Sequence, residues 1–269
     1  MQLGLAAWGL REESLESQLA MAKKLGVDLL EFSIANYSKD LQLDATCAEL
    51  DAVKEAFKKY GIRLECGCTG NDFGGDDPTD QIEKVKKVVD IAAYLGIKYL
   101  RIFASFCSDK VIIGEKFLSM CNALKTVNDY AKTKNVTLCV ETHGGVSAVG
   151  NGAIVHTCSP STRVDYMKEI VKTGVSINYD PANLSAVGVA SVTAFYEIFK
   201  DYIPYVHLKD FFDVEGGVVP SYCGRGRLNY DEVMATLKDY DGPALIEYEL
   251  PEDVEDGMKK SLDFLRKYL

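Results

Sequence analysis

The stretch LGIKYLRIFA, residues 95–104, is the most informative about the fold of this chain. Gly96 follows a segment of helical period and precedes a short, mainly apolar run. Glycine readily adopts the left-handed backbone conformation that ends a helix, so a helix that passes directly into a buried strand is predicted here.

The same junction recurs along the chain. Gly26, Gly61 and Gly174 each separate a helical pattern from an apolar run, and Asn135 occupies the equivalent place. Residues 82–93 show the helical pattern, with apolar side chains on one face and charged ones on the other. Eight strands are predicted in all, at residues 3–8, 27–34, 62–68, 97–104, 136–142, 175–180, 203–208 and 244–248.

Apolar strands that alternate with helices indicate an α/β protein with a parallel sheet, and eight such units predict a single (β/α)8 TIM barrel. An open, doubly wound sheet is the alternative, but no GxGxxG motif follows the first predicted strand. The chain has no Pro/Ser-rich linker and no low-complexity tract. We therefore expect residues 1–269 to form one domain.

Charge and composition exclude several classes of function. A formal net charge of -10 opposes binding to nucleic acid or to anionic lipid. No apolar stretch reaches the roughly 18 residues of a membrane span, and no basic leader precedes the first strand. The eight cysteines form no CxxC pair and are expected to be reduced. We expect a cytoplasmic protein without nucleic-acid or membrane partners.

Four successive predicted strands end in residues that can bind a metal: Glu141, Asp180, His207 and Glu247. The carboxyl ends of barrel strands open on one face, so these side chains should converge. Each of them alone could form a salt bridge or a core hydrogen bond. Three buried carboxylates together repel one another and lose solvation, and a divalent cation relieves both costs. Oxygen ligands with one imidazole suit Mn²⁺, Mg²⁺, Co²⁺ or Zn²⁺.

The motifs at these strand ends resemble a known family over essentially the whole chain. They are Glu141-Thr-His-Gly, Asp180-Pro-Ala-Asn, His207-Leu-Lys-Asp and Gly224-Arg-Gly-Arg-Leu-Asn. They are similar to those of the xylose isomerase-like TIM barrels, which include ketose 3-epimerases, hydroxypyruvate isomerase, inosose dehydratase and endonuclease IV. The resemblance implies one divalent metal ion, Mn²⁺ foremost, bound by Glu141, Asp180, His207 and Glu247. Only three histidines and an acidic charge set the chain apart from endonuclease IV.

By this resemblance the substrate is a small keto sugar, sugar phosphate or polyol-derived molecule of carbohydrate metabolism. Glu141 and Glu247 would act as an acid/base pair that transfers a proton next to a carbonyl through an enediolate, in a metal-dependent isomerase or epimerase. A metal-dependent lyase, like dehydroshikimate or inosose dehydratase, is the alternative, and His143 with Lys209 resembles the dehydroshikimate dehydratase branch. A non-catalytic sugar-binding barrel is a third reading.

Other residues are candidates for substrate contacts. Asn183 stands where many epimerases carry a histidine, and an arginine could bind a phosphate or carboxylate. The lone tryptophan, at the end of the first predicted strand, could stack on a sugar or pack in the mouth. The remaining candidates could instead have a structural role, in which they support a neighbouring ligand or form a salt bridge. The candidates are Trp8, Asn71, Arg101, His143, Asn183, Lys209 and Arg225.

Two further expectations concern the mouth of the barrel. Glu31 and Glu65 are expected to complete a polar wall near the ends of their strands. The glycine-rich segment 143–160 is expected to be a flexible loop, serving as a lid or as a contact within a homo-oligomer.

Overall fold

The structure, a computed structural model, describes residues 1–37 and 39–269. In this part of the chain the strands are β1 (Gln2–Leu5), β2 (Leu29–Ser33), β3 (Arg63–Cys68), β4 (Tyr99–Ile102), β5 (Thr137–Glu141), β6 (Gly145–Gly150), β7 (Ala153–Thr157), β8 (Ser176–Tyr179), β9 (Tyr205–Leu208), β10 (Asp210–Val214), β11 (Gly217–Ser221) and β12 (Pro243–Ile246). Eight of these described strands close a parallel barrel in the order β1-β2-β3-β4-β5-β8-β9-β12. The predicted (β/α)8 fold is confirmed.

Helices connect the barrel strands and pack around them. They are α1 (Leu15–Lys24), α2 (Cys47–Tyr60), α3 (Thr79–Leu95), α4 (Gly114–Thr133), α5 (Val164–Val171), α6 (Pro181–Ala186), α7 (Val192–Phe199), α8 (Tyr230–Thr236) and α9 (Val254–Leu265). Each long helix turns an apolar face to the barrel; α3, for example, buries Val85, Val89 and Ala92. None of the described helices is both long and apolar enough to cross a membrane.

The predicted helix stops have the expected backbone conformation. Gly26, Gly61, Gly96 and Gly174 have φ angles of 72°, 68°, 79° and 93°, and Asn135 has a φ angle of 59°. Each residue thus lies in the left-handed region that ends a helix and starts the next strand. These junctions set the alternation of helix and strand that the barrel requires.

The first predicted strand is too long. β1 ends at Leu5, and Ala7 already has helical angles. The Ala7 N–H donates to the side-chain carboxylate of Glu31 at 2.9 Å rather than to a backbone carbonyl of a neighbouring strand. The chain turns there, and Trp8 begins a single turn of 3-10 helix, Trp8–Leu10, instead of ending the strand.

The inside of the barrel has two layers. The lower layer is an apolar cluster that includes Leu29, Cys139, Tyr205 and Leu245. Side chains two positions farther along a strand point to the same side of the sheet. The residues two positions after these four are therefore the next layer toward the carboxyl ends, and they are Glu31, Glu141, His207 and Glu247.

A second sheet covers the carboxyl end of the barrel. The hairpin of β6 and β7 follows β5, the hairpin of β10 and β11 follows β9, and the two join in the order β10-β11-β7-β6. The expectation of a flexible loop at 143–160 is wrong, because Asn151 and Gly152, with φ angles of 51° and 75°, form the tight turn of a hairpin. An Asn-Gly pair between β-branched residues favours this turn. Ile154 pairs with Val218 to link the hairpins.

The helix stop at Gly96 can be tested by substitution. Gly96→Ala should lower the free energy of unfolding by about 1 kcal/mol, because a side chain with a Cβ is strained in the left-handed region. Nothing lies within 4 Å of the added Cβ, so strain of the backbone is the only cost. Gly96→Asn should cost less, since asparagine tolerates this conformation. Urea unfolding followed by circular dichroism measures both.

Gly75→Ala is the matched control. Its added Cβ meets its nearest atom at 3.9 Å, and its φ lies outside the left-handed region, so the change should stay within about 0.5 kcal/mol. Equal stability of Gly96→Ala and Gly75→Ala would show that the backbone at residue 96 is not strained by a side chain.

Candidate functional site

Four buried residues meet at the carboxyl end of the barrel. Glu141 ends β5, Asp180 follows β8, His207 lies in β9 and Glu247 follows β12. Each offers one ligand atom, and these atoms all lie within 4.8 Å of one another. Bonds of about 2 Å to one ion place opposing ligand atoms about 4 Å apart. A slight contraction of this cluster, called the ligand cluster below, brings all four to bonding distance of a single cation.

His207 is oriented from below. Its Nε2 lies 3.0 Å from the Tyr205 hydroxyl, which in turn donates to Glu31. The other nitrogen, Nδ1, is buried and has no hydrogen-bond partner in the described part of the chain. It lies 3.8 Å from one carboxylate oxygen of Glu141 and 3.8 Å from one of Glu247. A histidine whose far nitrogen is held this way presents the near one as a metal ligand.

The charge of His207 depends on the same carboxylates. Burial lowers its pKa, but Glu31 and Glu247 outweigh burial and raise the pKa to about 9. A proton therefore occupies this imidazole at neutral pH when only protein groups surround it. A divalent cation would be attracted by the same field and would displace that proton on binding.

The two oxygens of Asp180 have different partners. Oδ1 accepts from the backbone N–H groups of Ala182 at 2.8 Å and Asn183 at 3.0 Å, which caps α6. Oδ2 is buried and has no hydrogen-bond partner among residues 1–37 and 39–269. Burial raises the pKa of this carboxyl above its usual range. One oxygen thus holds the strand-to-helix turn, while the other lies 3.3 Å from Lys209 Nζ and faces the ligand cluster.

Two permanent cations hold the glutamates from different sides. Arg101 Nε lies 3.3 Å from Glu141 Oε2, and Lys209 Nζ lies 2.5 Å from Glu247 Oε2 and 2.7 Å from Glu249 Oε1. Burial raises the pKa of Glu141 to about 7 even though Arg101 opposes it. Burial also acts on Glu247, but Lys209 and His207 outweigh it and lower that pKa to about 2. The two glutamates therefore differ in proton affinity.

The residues present fit a divalent metal. Five carboxylates share two permanent cations, Arg101 and Lys209, so negative charge is in excess; the carboxylates belong to Glu31, Glu141, Asp180, Glu247 and Glu249. Buried charges need partners, and Asp180 Oδ2, which has only Lys209 Nζ at 3.3 Å, and His207 Nδ1, which has no hydrogen-bond partner among the described residues, both belong to the ligand cluster. Three carboxylates and one imidazole suit Mn²⁺, Mg²⁺, Co²⁺ and Zn²⁺ alike.

A cavity of about 640 Å³ opens above the ligand cluster. Glu141, Glu247, Arg101 and Lys209 lie on its floor, and Asp180 and His207 lie beneath them. Five of the seven predicted substrate contacts line it: Trp8, Asn71, Arg101, His143 and Lys209. The structure thus brings most of the predicted polar groups to one space next to the candidate metal ligands.

Asn183 and Arg225 do not line this cavity. Asn183 is buried, and its Nδ2 donates to Glu141 Oε1 at 3.0 Å, so it holds a ligand in place. Arg225 is exposed and packs over the ring of Tyr222, with 5.6 Å from its Cζ to the ring centroid. Asn71 lines the cavity, but both its polar atoms bond the backbone of Phe103, at 2.8 and 3.0 Å.

The expected polar wall of Glu31 and Glu65 is not found. Glu31 lies beneath His207, where it bonds Tyr205 and the Ala7 backbone. Glu65 pairs with Arg63 at 3.1 Å and does not reach the cavity. The side chains of adjacent strand positions point to opposite sides of the sheet, and register in the closed barrel decides which side faces the cavity.

Several residues of the site were missed in the sequence. Tyr205 stands two positions before His207 and Glu249 two after Glu247, so the period of a strand places both near the ligand cluster. That signal was available. His156 lines the cavity from β7, outside every predicted strand, and its position depends on the pairing of the two hairpins.

A closed (β/α)8 barrel with a buried cluster of potential metal ligands at its carboxyl end defines the class of this protein. The family model of the xylose isomerase-like TIM barrel matches residues 19–268, and the chain belongs to this family. No protein of curated function matches the sequence significantly.

Solved structures show the same fold at low sequence identity. A probable 3-DHS dehydratase from Bacillus anthracis, involved in petrobactin synthesis, has a TM-score of 0.80 at 16% identity, over 99% of both chains. The 3-keto-D-glucoside 4-epimerase of E. coli has a TM-score of 0.76 at 16% identity, over 99% of both chains. D-psicose 3-epimerase from Clostridium cellulolyticum H10, solved with D-tagatose, has a TM-score of 0.72 at 15% identity, over 100% of this chain and 99% of its own.

Metal binding at the ligand cluster should stabilise the fold. At a Mn²⁺ concentration of about a hundred times Kd, the melting temperature of the metal-stripped protein should rise by about 5 to 10 °C. Asp180→Asn should retain the cap of α6 through its amide oxygen but lose the charged ligand oxygen, so its melting temperature should hardly respond. Calorimetry with and without Mn²⁺ measures both. An equal shift in the two proteins would place the metal elsewhere.

The support of His207 by Tyr205 gives a second prediction. Tyr205→Phe leaves Nε2 of His207 without its hydroxyl partner, so the affinity for Mn²⁺ should fall about 10- to 100-fold. Tyr240→Phe, which removes a hydroxyl that donates to the Pro243 carbonyl at 2.8 Å, is the matched control and should bind normally. Isothermal titration gives both affinities, and an unchanged value in Tyr205→Phe would contradict the orienting role.

Proposed function

We propose that this protein is a divalent-metal-dependent isomerase or epimerase that moves a proton next to the carbonyl of a keto sugar or sugar phosphate. The observation that carries the proposal is the pairing of Glu141 and Glu247. Both line the cavity floor, and each has an oxygen 3.8 Å from His207 Nδ1, so they flank the same point of the ligand cluster. Two of the structures with this fold are named as epimerases of sugar substrates, which supports the substrate class.

Glu141, Asp180, His207 and Glu247 would hold the cation. When bound, a divalent cation polarises a carbonyl and favours the negative charge that develops on its oxygen when a neighbouring proton is removed. The remaining groups of the floor belong to the protein. Arg101 and Lys209 place two further positive charges beside the glutamates and favour the same enediolate charge.

The two glutamates would divide the proton transfer between them. One carboxylate removes the proton from the carbon next to the carbonyl, and the other returns a proton to the opposite face for epimerisation or to the adjacent carbon for isomerisation. Both must be held still for this work. Asn183 and Arg101 fix the two oxygens of Glu141, at 3.0 and 3.3 Å, and Lys209 fixes Glu247 at 2.5 Å.

A lyase of the dehydratase type is the second candidate. Lys209, a buried ammonium on the cavity floor, is placed to protonate a leaving hydroxyl. His143 lines the wall as a neutral imidazole, because burial lowers its pKa to about 3 and its Nδ1 donates to the Gly144 carbonyl, so it can only accept from the substrate. Elimination begins with the same proton removal but ends with loss of water, so the glutamate pair serves either reaction. The fold similarity to a probable 3-DHS dehydratase supports this alternative. A barrel that only binds sugar would need neither glutamate as a base.

Proton transfer is tested by exchange with solvent deuterium. The Mn²⁺-loaded protein, incubated with a panel of keto sugars and keto sugar phosphates in deuterium oxide, should introduce deuterium next to the carbonyl of at least one of them, as seen by NMR. Glu141→Gln and Glu247→Gln should each slow this exchange by about 100- to 10,000-fold, because each removes a group that carries the proton.

Glu65→Gln is the control, since Glu65 is a strand glutamate outside the cavity, and its exchange rate should match that of the wild type. Exchange at the full rate in either of the other two variants would refute the assigned roles. Loss of water from the labelled compound, detected by mass, would assign the protein to the lyases instead. Binding of a sugar with no exchange and no loss of water would leave only the non-catalytic barrel.

A further inference from the structure

The cavity extends well beyond the ligand cluster. Its volume of about 640 Å³ equals the space of roughly 20 liquid water molecules, and a monosaccharide on the floor displaces only part of them. The residues that line its outer part belong to segments that follow the carboxyl ends of the barrel strands. We call this outer part the upper chamber, and its apolar and aromatic lining residues are Trp8, Phe106, Val146, Ile154, Pro220 and Leu250. Three polar residues also line the cavity, Arg11, Asn36 and Tyr37, and Arg11 and Tyr37 lie against Trp8.

The upper chamber is an unusual environment for a free sugar. A monosaccharide presents hydroxyl groups in nearly every direction, and each one loses free energy when it is buried without a hydrogen-bond partner. Val146, Ile154 and Pro220, which the second sheet supplies, offer no side-chain partner. This part of the cavity therefore favours an apolar group, and its aromatic residues favour a flat one that can stack.

His156 marks the boundary of this chamber. Both its ring nitrogens are buried and lack a hydrogen-bond partner within the described chain, although the residue lines the cavity. Its ring lies 4.9 Å from that of Phe211 and 6.3 Å from that of His143, between centroids. Burial lowers the pKa of His156 to about 4, so the imidazole is neutral and can both donate and accept. Neither nitrogen is exposed to the cavity, so a ligand there meets the uncharged ring and not a hydrogen-bonding atom.

We propose that the upper chamber is a second subsite, which takes a flat apolar ring attached to the reacting sugar, with the uncharged ring of His156 as part of its wall. The substrate class is then a glycoside with an apolar aglycone, whose sugar carries its carbonyl on a carbon other than the anomeric one, rather than a free monosaccharide. The inference rests on the proposed function only for the placement of the sugar on the floor. The glutamate pair and the subsite can fail independently.

The single tryptophan, Trp8, lines the chamber and reports on it by its fluorescence. Phenyl β-D-glucopyranoside and methyl β-D-glucopyranoside differ only in the group that would enter the chamber. The Mn²⁺-loaded protein should bind the phenyl compound about 10- to 100-fold more tightly, because its ring leaves water for an apolar site. Saturation-transfer NMR should show the phenyl protons closest to the protein.

Two substitutions on the same strand test the location. Val146→Asp places a carboxylate in the chamber and should remove most of the preference for the phenyl compound. Val149→Asp is the matched control, because Val149 lies on β6 outside the cavity and is 53% exposed, as against 44% for Val146. Its preference should equal that of the wild type.

Equal affinity for the two glucosides, including no detectable binding of either, overturns the subsite, and so does an unchanged preference in Val146→Asp. The same titration in Glu141→Gln separates this result from the proposed catalysis. Suppose that the phenyl preference persists in Glu141→Gln and that the wild type exchanges no proton with any keto sugar. The subsite is then retained and the proposed function is refuted. Proton exchange with a keto sugar but no phenyl preference retains the proposed function and refutes the subsite.

Discussion

The burial of negative charge at one end of the barrel is the constraint on which the rest of the structure depends. Five carboxylates surround a space from which most water is excluded, and Arg101 and Lys209 balance only part of their charge. Such an arrangement is costly unless further positive charge is present. Asp180 Oδ2 and His207 Nδ1, which have no hydrogen-bond partner among the described residues, indicate where that charge would lie. Stability and the proposed chemistry therefore depend on the same cluster.

The barrel stabilises this cluster by stacking the ligand side chains on a layer of buried side chains. Residues two positions apart on a strand share a side, so three of the four ligands have an apolar or supporting residue directly below them: Cys139 below Glu141, Tyr205 below His207 and Leu245 below Glu247. The lower layer packs as an apolar core. This packing fixes the position of the upper layer along the barrel axis. Asp180 is held in a different way. Its Oδ1 caps α6, and this fixes the direction in which Oδ2 points.

The second sheet determines what can reach the floor. Its two hairpins follow β5 and β9, the strands that carry Glu141 and His207, and they pair with each other across the mouth. In the proposed function, the reacting end of a ligand would meet charged groups, whereas its other end would meet apolar side chains. A site with a charged floor and an apolar upper part separates binding from chemistry, and the free energy of binding at one end can be used to position the other.

The sequence by itself determined the alternation of elements and the identity of the residues at the strand ends. Helix stops such as Gly96 and Asn135, the apolar runs after them and the strand-end residues Glu141, Asp180 and His207 are local signals, readable because backbone conformation and side-chain period are set within a few residues. Tertiary structure alone decided that Asn183 holds Glu141, that Glu31 lies below His207 and that two hairpins pair over the mouth. Those contacts join distant segments, and their partners depend on the register in which the barrel closes.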